Sequence, residues 1–256
     1  MEDGSEYIYN FFGKIIPERV NFSLTVPTLH TDVKNLGMNY DIDLSIVNSQ
    51  ISIKVKSKVK VTDDQTLRNI VSDTVRLFTD AYGYVHGFAY DVEITSMTTN
   101  YDNTHQVFGV QINEIKADLQ NRPYQNIQEF IPLLFTEEFF QLRIALSDLR
   151  LAMKYPKDTG VFCYRSLESL MQYFNENDDR GRAWDNLKKN LNIDQSWLDE
   201  IRNNAWSARH GKPILLGNEL RVDIMRRTWK VVDRFIIFAK NNASQLNIKD
   251  YPVLTG

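Results

Sequence analysis

The dominant hydrophobic period of this chain changes close to residue 121, and that change constrains the fold more than any other feature. Upstream, apolar residues recur at every second position apart from one helical stretch; downstream they recur every three to four. A period of two marks a half-buried strand, and a period near 3.6 marks an amphipathic helix. The pattern predicts an α+β N-terminal domain with a mostly antiparallel sheet, followed by an all-α helical bundle.

In the first half, Phe22, Leu24 and Val26 alternate with Asn21, Ser23 and Thr25, and Tyr40, Ile42, Leu44 and Ile46 alternate with Asp41, Asp43 and Ser45. Asn48-Ser49-Gln50 reads as a turn into a run over 51–61. There Lys54, Lys56, Lys58 and Lys60 occupy one face, which suits a solvent-exposed or edge strand guarded against aggregation. A nucleic-acid surface is the sharper alternative. Asp63-Asp64 opens a helix carrying Leu67, Ile70, Val71, Val75, Leu77 and Phe78, and Gly83 and Gly87 break it. Alternation resumes at Phe88, Tyr90, Val92 and Ile94, with a further strand over 107–115.

The polar stretch Asn121-Arg122-Pro123-Tyr124-Gln125-Asn126 is the boundary, giving domains 1–125 and 126–256. Thr136-Glu137-Glu138 then caps a helix reaching Tyr155, stopped by Pro156. A second helix starts at Asp158-Thr159 and carries Phe162, Leu167, Glu168 and Leu170. A third holds Trp184, Leu187 and Leu191. A fourth begins at Asp194, with Trp197, Leu198, Ile201 and Ala205, and stops at Gly211 and Pro213. A fifth, over about 218–243, holds Ile224, Trp229, Val232 and Phe235.

Composition narrows the function classes. The single cysteine, Cys163, excludes an intrachain disulfide framework and a cysteine-rich zinc site. It reads as buried filler rather than a nucleophile. His30, His86, His105 and His210 are widely scattered, so no metal and no cofactor are expected. No apolar run approaches the roughly 20 residues a membrane span needs. The start, Met1-Glu2-Asp3-Gly4, is unlike a signal peptide, which predicts a cytoplasmic protein. The net charge of −3 divides into −5 through Gln125 and +2 beyond it. Nucleic acid would therefore bind on a local patch, not through bulk charge.

The end of the fourth helix is the richest in chemistry. Arg202 and Arg209 are seven residues apart and share a helix face. Asn203 and Asn204 supply amides, and His210 sits at the helix end, where the dipole favours imidazolium and proton transfer. The fifth helix adds Arg226, Lys230 and Arg234 at four-residue spacing, read as a cationic solvent face. Packed side by side, the two helices would make a basic cleft with one histidine, sufficient for a 2′-hydroxyl to attack its neighbouring phosphate without metal. The same run, Arg209-His210-Gly211-Lys212-Pro213, is also an ordinary helix stop.

The second half resembles a HEPN domain. Tyr164-Arg165-Ser166-Leu167-Glu168-Ser169-Leu170 is similar to that family's second helix, and Ile201-Arg202-Asn203 leading to Arg209-His210-Gly211 is similar to its signature. The resemblance implies a metal-independent endoribonuclease, a hydrolase of the antiviral (phage) defence type. It implies a homodimer formed through the helical domain, with RNA as partner and no membrane. The implied catalytic residues are Arg202, Asn203 and His210. Arg209, Lys212, Arg226, Lys230 and Arg234 would bind RNA, and Glu168 would hold an arginine of the fourth helix. Seven residues separate Arg202 from His210, where the family has four to six. Many HEPN domains lack the motif, so a non-catalytic interaction or ligand-sensing module is the alternative. The first domain resembles no family we recognise.

Two further carboxylate pairs, Asp41-Ile42-Asp43 and Asp91-Val92-Glu93, sit on strand faces in a geometry that holds a divalent cation or simply faces water. There is no phosphate loop, nucleophile elbow or dinucleotide fingerprint.

Overall fold

The computed structural model describes residues 6–33, 38–102, 104–109, 112, 114–115, 127–212 and 216–256. The chain divides into two compact units, residues 1–110 and 111–256.

The first unit holds strands β1 (Tyr7–Ile16), β2 (Leu24–Thr25), β3 (Leu29–Val33), β4 (Met38–Val47), β5 (Gln50–Ser57), β6 (Asp91–Thr99) and β7 (His105–Val107), with helix α1 (Asp64–His86) between β5 and β6. Every pairing is antiparallel, in the order β2-β4-β5-β1-β6-β7, with β3 also on β4. The alternation in the sequence buries one sheet face: Tyr9, Phe11 and Ile15 of β1, Ile42, Leu44 and Ile46 of β4, Ile53 and Val55 of β5, and Val92 and Ile94 of β6. Helix α1 turns Leu67, Ile70, Val71 and Val75 inward and leaves Leu77 exposed. Asp63 caps it, accepting from the Thr66 amide at 3.0 Å. Asn48 and Ser49 both have positive φ (49° and 65°), forming the two-residue turn that sets the β4–β5 register.

Three local expectations need correction. The lysine strand β5 lies between β4 and β1, inside the sheet and not at its edge. Its lysines face solvent because the opposite face carries Ile51, Ile53 and Val55. Helix α1 runs through Gly83 and ends only at Gly87, whose φ of 69° closes the last turn. The strand expected over 107–115 stops at Val107, and Ile115 packs in the core of the helical unit.

The second unit comprises α2 (Phe140–Lys154), α3 (Thr159–Gln172), α4 (Arg180–Leu191), α5 (Gln195–Arg209) and α6 (Asn218–Lys240). Helix α3 is central and touches the other four. Its Cys163, Leu167, Leu170 and Met171 are fully buried among Leu142 and Leu149 of α2, Leu187 of α4, Ile201 of α5 and Phe235 of α6. Burial pushes the Cys163 thiol up to about 12, which leaves it inert near neutral pH.

Two buried arginines of α6 satisfy helix ends. Arg221 donates to Thr159 Oγ1 at 2.8 Å and to the carbonyls of Ala152 (3.2 Å) and Met153 (2.6 Å), closing the end of α2. Arg234 donates to the carbonyls of Leu191 (2.9 Å), Asn192 and Pro252, closing the end of α4. No helix among the described residues is long and apolar enough to cross a membrane.

Candidate functional site

Helix α5 ends at Arg209, and His210 continues its hydrogen bonding by one residue, its amide donating to the Trp206 carbonyl at 3.2 Å. Gly211 then takes a φ of 72° and donates to the Ala208 carbonyl. The helix-stop geometry is therefore real, yet it does not bury the chemistry. His210 is exposed, and its ring lies 4.2 Å, centroid to centroid, from the ring of Trp206, itself 61% exposed. Trp206 is four residues beyond Arg202, so Arg202, Trp206 and Arg209 share one face and His210 borders it.

Arg202 pairs with Asp199 at 2.9 Å and is half exposed. Arg209 lies 3.6 Å from Glu168 and 5.3 Å from the centre of the Tyr164 ring, so α3 supports it from below. Glu168 binds a second arginine more closely, Arg180 of α4, at 2.7 Å. This carboxylate is largely shielded and holds two arginines of different helices. Burial pushes the Tyr164 phenol up, Glu168 adds to the effect, and Arg180, Arg202 and Arg209 oppose it. Asn203 is exposed, whereas Asn204 spends its amide on the Glu200 carbonyl at 2.7 Å. Lys212 is exposed just beyond the helix; Pro213 lies outside the described residues.

Helix α6 does not complete the cleft in the expected way. Arg234 is 9% exposed and bound to three carbonyls, so it is a packing residue and offers nothing to solvent. Arg226 donates to the Glu114 carbonyl at 3.2 Å. Lys230 and Arg227 lie over the Trp197 ring, 5.3 Å and 4.7 Å from its centre. Trp197 precedes His210 by 13 residues, roughly 20 Å along a helix. Of the α6 cations, Arg227 and Lys230 thus lie at the start of α5, while the cations near its end come from α4 and α5 themselves.

Arg180 and Trp206 were missed by sequence reasoning. Trp206 was legible as a large aromatic at i+4 from Arg202 on a polar face. Arg180 was not, because only the packing of α4 beside α3 brings it to Glu168.

In the first unit, the carboxylate pairs face cations. The β4–β5 register sets Asp41 opposite Lys56 and Asp43 opposite Lys54, and Lys56 pairs with Asp43 at 3.1 Å. Asp41 also meets His30 Nδ1 at 2.6 Å, and Asp91 meets Arg76 at 3.6 Å. Among the described residues no group of three or more His, Cys, Asp or Glu could hold a metal ion. A recess of about 690 Å³ near the end of β5 is lined by Lys58 and Lys60 but equally by Glu6, Asp32 and Asp41, which leaves it without a dominant charge.

Two domain models match the chain: the DUF8168 N-terminal domain over residues 9–108 and the DUF8168 C-terminal domain over residues 127–240, both described as domains of unknown function. The chain carries the DUF8168 domain pair. The C-terminal match covers α2 to α6 entire, so every arginine of the cluster and His210 belong to the DUF8168 C-terminal domain. No curated protein and no solved structure matches the chain.

Proposed function

We propose that the DUF8168 C-terminal domain of this chain is a HEPN-like module that binds single-stranded RNA on the exposed end of α5 and cleaves it without metal. The observation that carries this reading is the solvent-exposed Trp206–His210 ring pair on the helix face that also bears Arg202 and Arg209. An exposed aromatic beside cations is a stacking platform with phosphate ligands, the general recipe for single-stranded nucleic acid.

In the proposed reaction His210 takes the proton of a 2′-hydroxyl, whose oxygen attacks the adjacent phosphorus. The bond from phosphorus to the 5′-oxygen breaks, and that oxygen leaves as a hydroxyl once protonated. The His210 of a second copy, in a homodimer formed through the helical domain, supplies this proton. Arg202 and Arg209 stabilise the charge on the phosphorane, and Asn203 orients the scissile group. Lys212 extends the phosphate track. A cytoplasmic, phage-defence setting is part of the same proposal and rests on the resemblance to HEPN proteins.

A second reading is favoured by the ion pairs themselves. Arg202 with Asp199, and Arg180 and Arg209 with Glu168, form a network that also suits a non-catalytic interaction or ligand-sensing module. An RNA cleavage assay in EDTA separates the two. Wild-type protein is compared with His210→Ala and Arg202→Ala, with the oligomeric state read by light scattering. Cleavage that survives chelation and disappears in both variants supports the ribonuclease. A folded wild type that binds RNA but leaves several RNAs intact points to the interaction module.

A further inference from the structure

Helices α3, α4 and α5 line an open recess of about 270 Å³. Tyr164 and Trp184 both line it, and their rings stack with centroids 6.1 Å apart and planes 19° from parallel. A continuous polar chain also lines it. Asp185 pairs with Lys188 at 3.0 Å, and Lys188 Nζ donates to Gln195 Oε1 at 2.8 Å. Gln195 Nε2 in turn donates to Asp199 Oδ1 at 2.9 Å, and Arg202 meets that same oxygen at 2.9 Å. Both of these links to Asp199 fall on Oδ1.

Aromatic surface beside alternating donors and acceptors suits a flat heterocycle with a polar edge, which is how unpaired bases are held. The volume is at the small end for a ligand site, enough for one base and too small for a stacked pair. Guanine alone among the bases sets two adjacent N–H donors beside the acceptors O6 and N7. In this recess the donor pair would address the Asp199 carboxylate in exchange for its Gln195 and Arg202 links, and the acceptors would take from Lys188 and from the Arg202 so released.

We propose that this recess takes a single unpaired guanine base. That the guanine comes from RNA rests on the reading above. Arg202 joins the two sites, since it lines the recess and also lies on the exposed face of α5. A base in the recess therefore brings its phosphate to Arg202. Arg209 and His210 follow roughly 10 to 12 Å further along the helix axis, on the path of the adjoining nucleotides.

The test uses the full chain, GMP and AMP as probes by isothermal titration, and a labelled single-stranded RNA carrying one guanosine among adenosines. Gly181 lines the recess, is exposed, and an added Cβ there meets only Asp179 Oδ1, at 3.4 Å. Gly181→Leu therefore adds bulk at the lining of the recess without meeting the core. Wild-type protein is expected to bind GMP at least about tenfold more tightly than AMP, and Gly181→Leu to weaken GMP binding at least about tenfold with an unchanged melting temperature. Gln195→Ala and Asp199→Asn are expected to reduce the preference for guanine. A wild type that does not distinguish GMP from AMP, or a Gly181→Leu variant that retains the preference, overturns the proposal. If RNA still binds in that case, the RNA reading stands without it. If GMP selectivity is lost in Gly181→Leu while no RNA binds the wild type, the recess is supported and the RNA reading falls.

Discussion

Trp206 and His210 stand one helical turn apart with their ring centres 4.2 Å from each other, both in solvent at the end of α5. Among the described residues the imidazole makes no side-chain hydrogen bond, so neither ring is held by the core. Trp206→Ala and His210→Ala are therefore expected to change folding stability by about 0.5 kcal/mol or less. Trp206→Ala should nonetheless weaken single-stranded RNA binding about tenfold, the loss of one stacked base. Urea unfolding and fluorescence anisotropy on the same samples check both parts. A large stability loss in either variant would show that the ring pair is structural.

Arg202 and Arg209 are each half exposed and each balanced by one carboxylate, Asp199 and Glu168. If they hold phosphates, each releases counterions on binding, worth about 0.7 in the slope of log affinity against log salt for a single strand. The double variant Arg202→Ala, Arg209→Ala should flatten that slope by about 1.4. An unchanged slope with reduced affinity would place both side chains away from phosphate.

Arg234 fills the end of α4 and reaches the tail through the Pro252 carbonyl. Replacement by Leu leaves the Leu191, Asn192 and Pro252 carbonyls without this donor, a loss of about 3 kcal/mol. The nearby pairing of Leu254 with Asn192 (3.0 Å) and of Asp194 with Leu254 (2.9 Å) should weaken as well. Urea unfolding measures the first effect and amide exchange at Leu254 the second. Lys230→Ala, on the exposed side of the same helix, should cost far less. Equal losses in the two variants would contradict the assignment of Arg234 to the interior.

This arginine shows where the sequence is readable and where it is not. The four-residue spacing of Arg226, Lys230 and Arg234 correctly puts them near one helix face, but spacing says nothing about which neighbours cover that face. Val231, Val232, Phe235, Ile236, Ile237 and Phe238 around it are all buried, and that apolar density was the available warning. The period switch and the Asn48-Ser49 turn were legible because they depend on residues close in sequence. The inner position of β5 was not, since strand order is set by pairings such as β1 with β5 and β1 with β6, more than 30 residues apart. Likewise α5 declared Arg202, Arg209 and His210, while Arg180 and Trp184 joined them only through helix packing.

The acid limb of stability offers a test in the first unit. The Thr104 and Thr99 hydroxyls and the Thr104 amide hold Asp102 at about 2, below its ordinary 3.8. A depressed carboxylate contributes stability above its unfolded pKa and loses it as the pH falls through the folded value. The difference in melting temperature between wild type and Asp102→Asn should be constant above about pH 5, fall through about pH 2 and disappear only near pH 1. A difference unchanged between about pH 5 and about pH 1 would assign the effect of the substitution to geometry rather than charge.

Beneath the candidate site, Gly160 of α3 lies close against the backbone of α5. A Cβ at residue 160 would lie 2.7 Å from the Asn204 carbonyl oxygen and 3.0 Å from its carbon, both backbone atoms that cannot rotate away. Gly160→Ala must therefore push α5 off α3. Overpacking of this kind costs about 1 to 3 kcal/mol. The displaced helix carries Arg202, Trp206, Arg209 and His210, while Tyr164, Glu168 and Arg180 remain on the helices it leaves. Gly160→Ala is thus expected to lower stability by that amount and also to reduce RNA affinity in the protein that remains folded. Gly181→Ala, at an exposed helical position, should raise stability slightly through helix propensity. Unfolding curves for both variants, with anisotropy measured well below their midpoints, give the comparison. Full RNA affinity in folded Gly160→Ala would mean that binding does not depend on the registration of α5 against α3, and the arginine cluster would lose its claim to be the site.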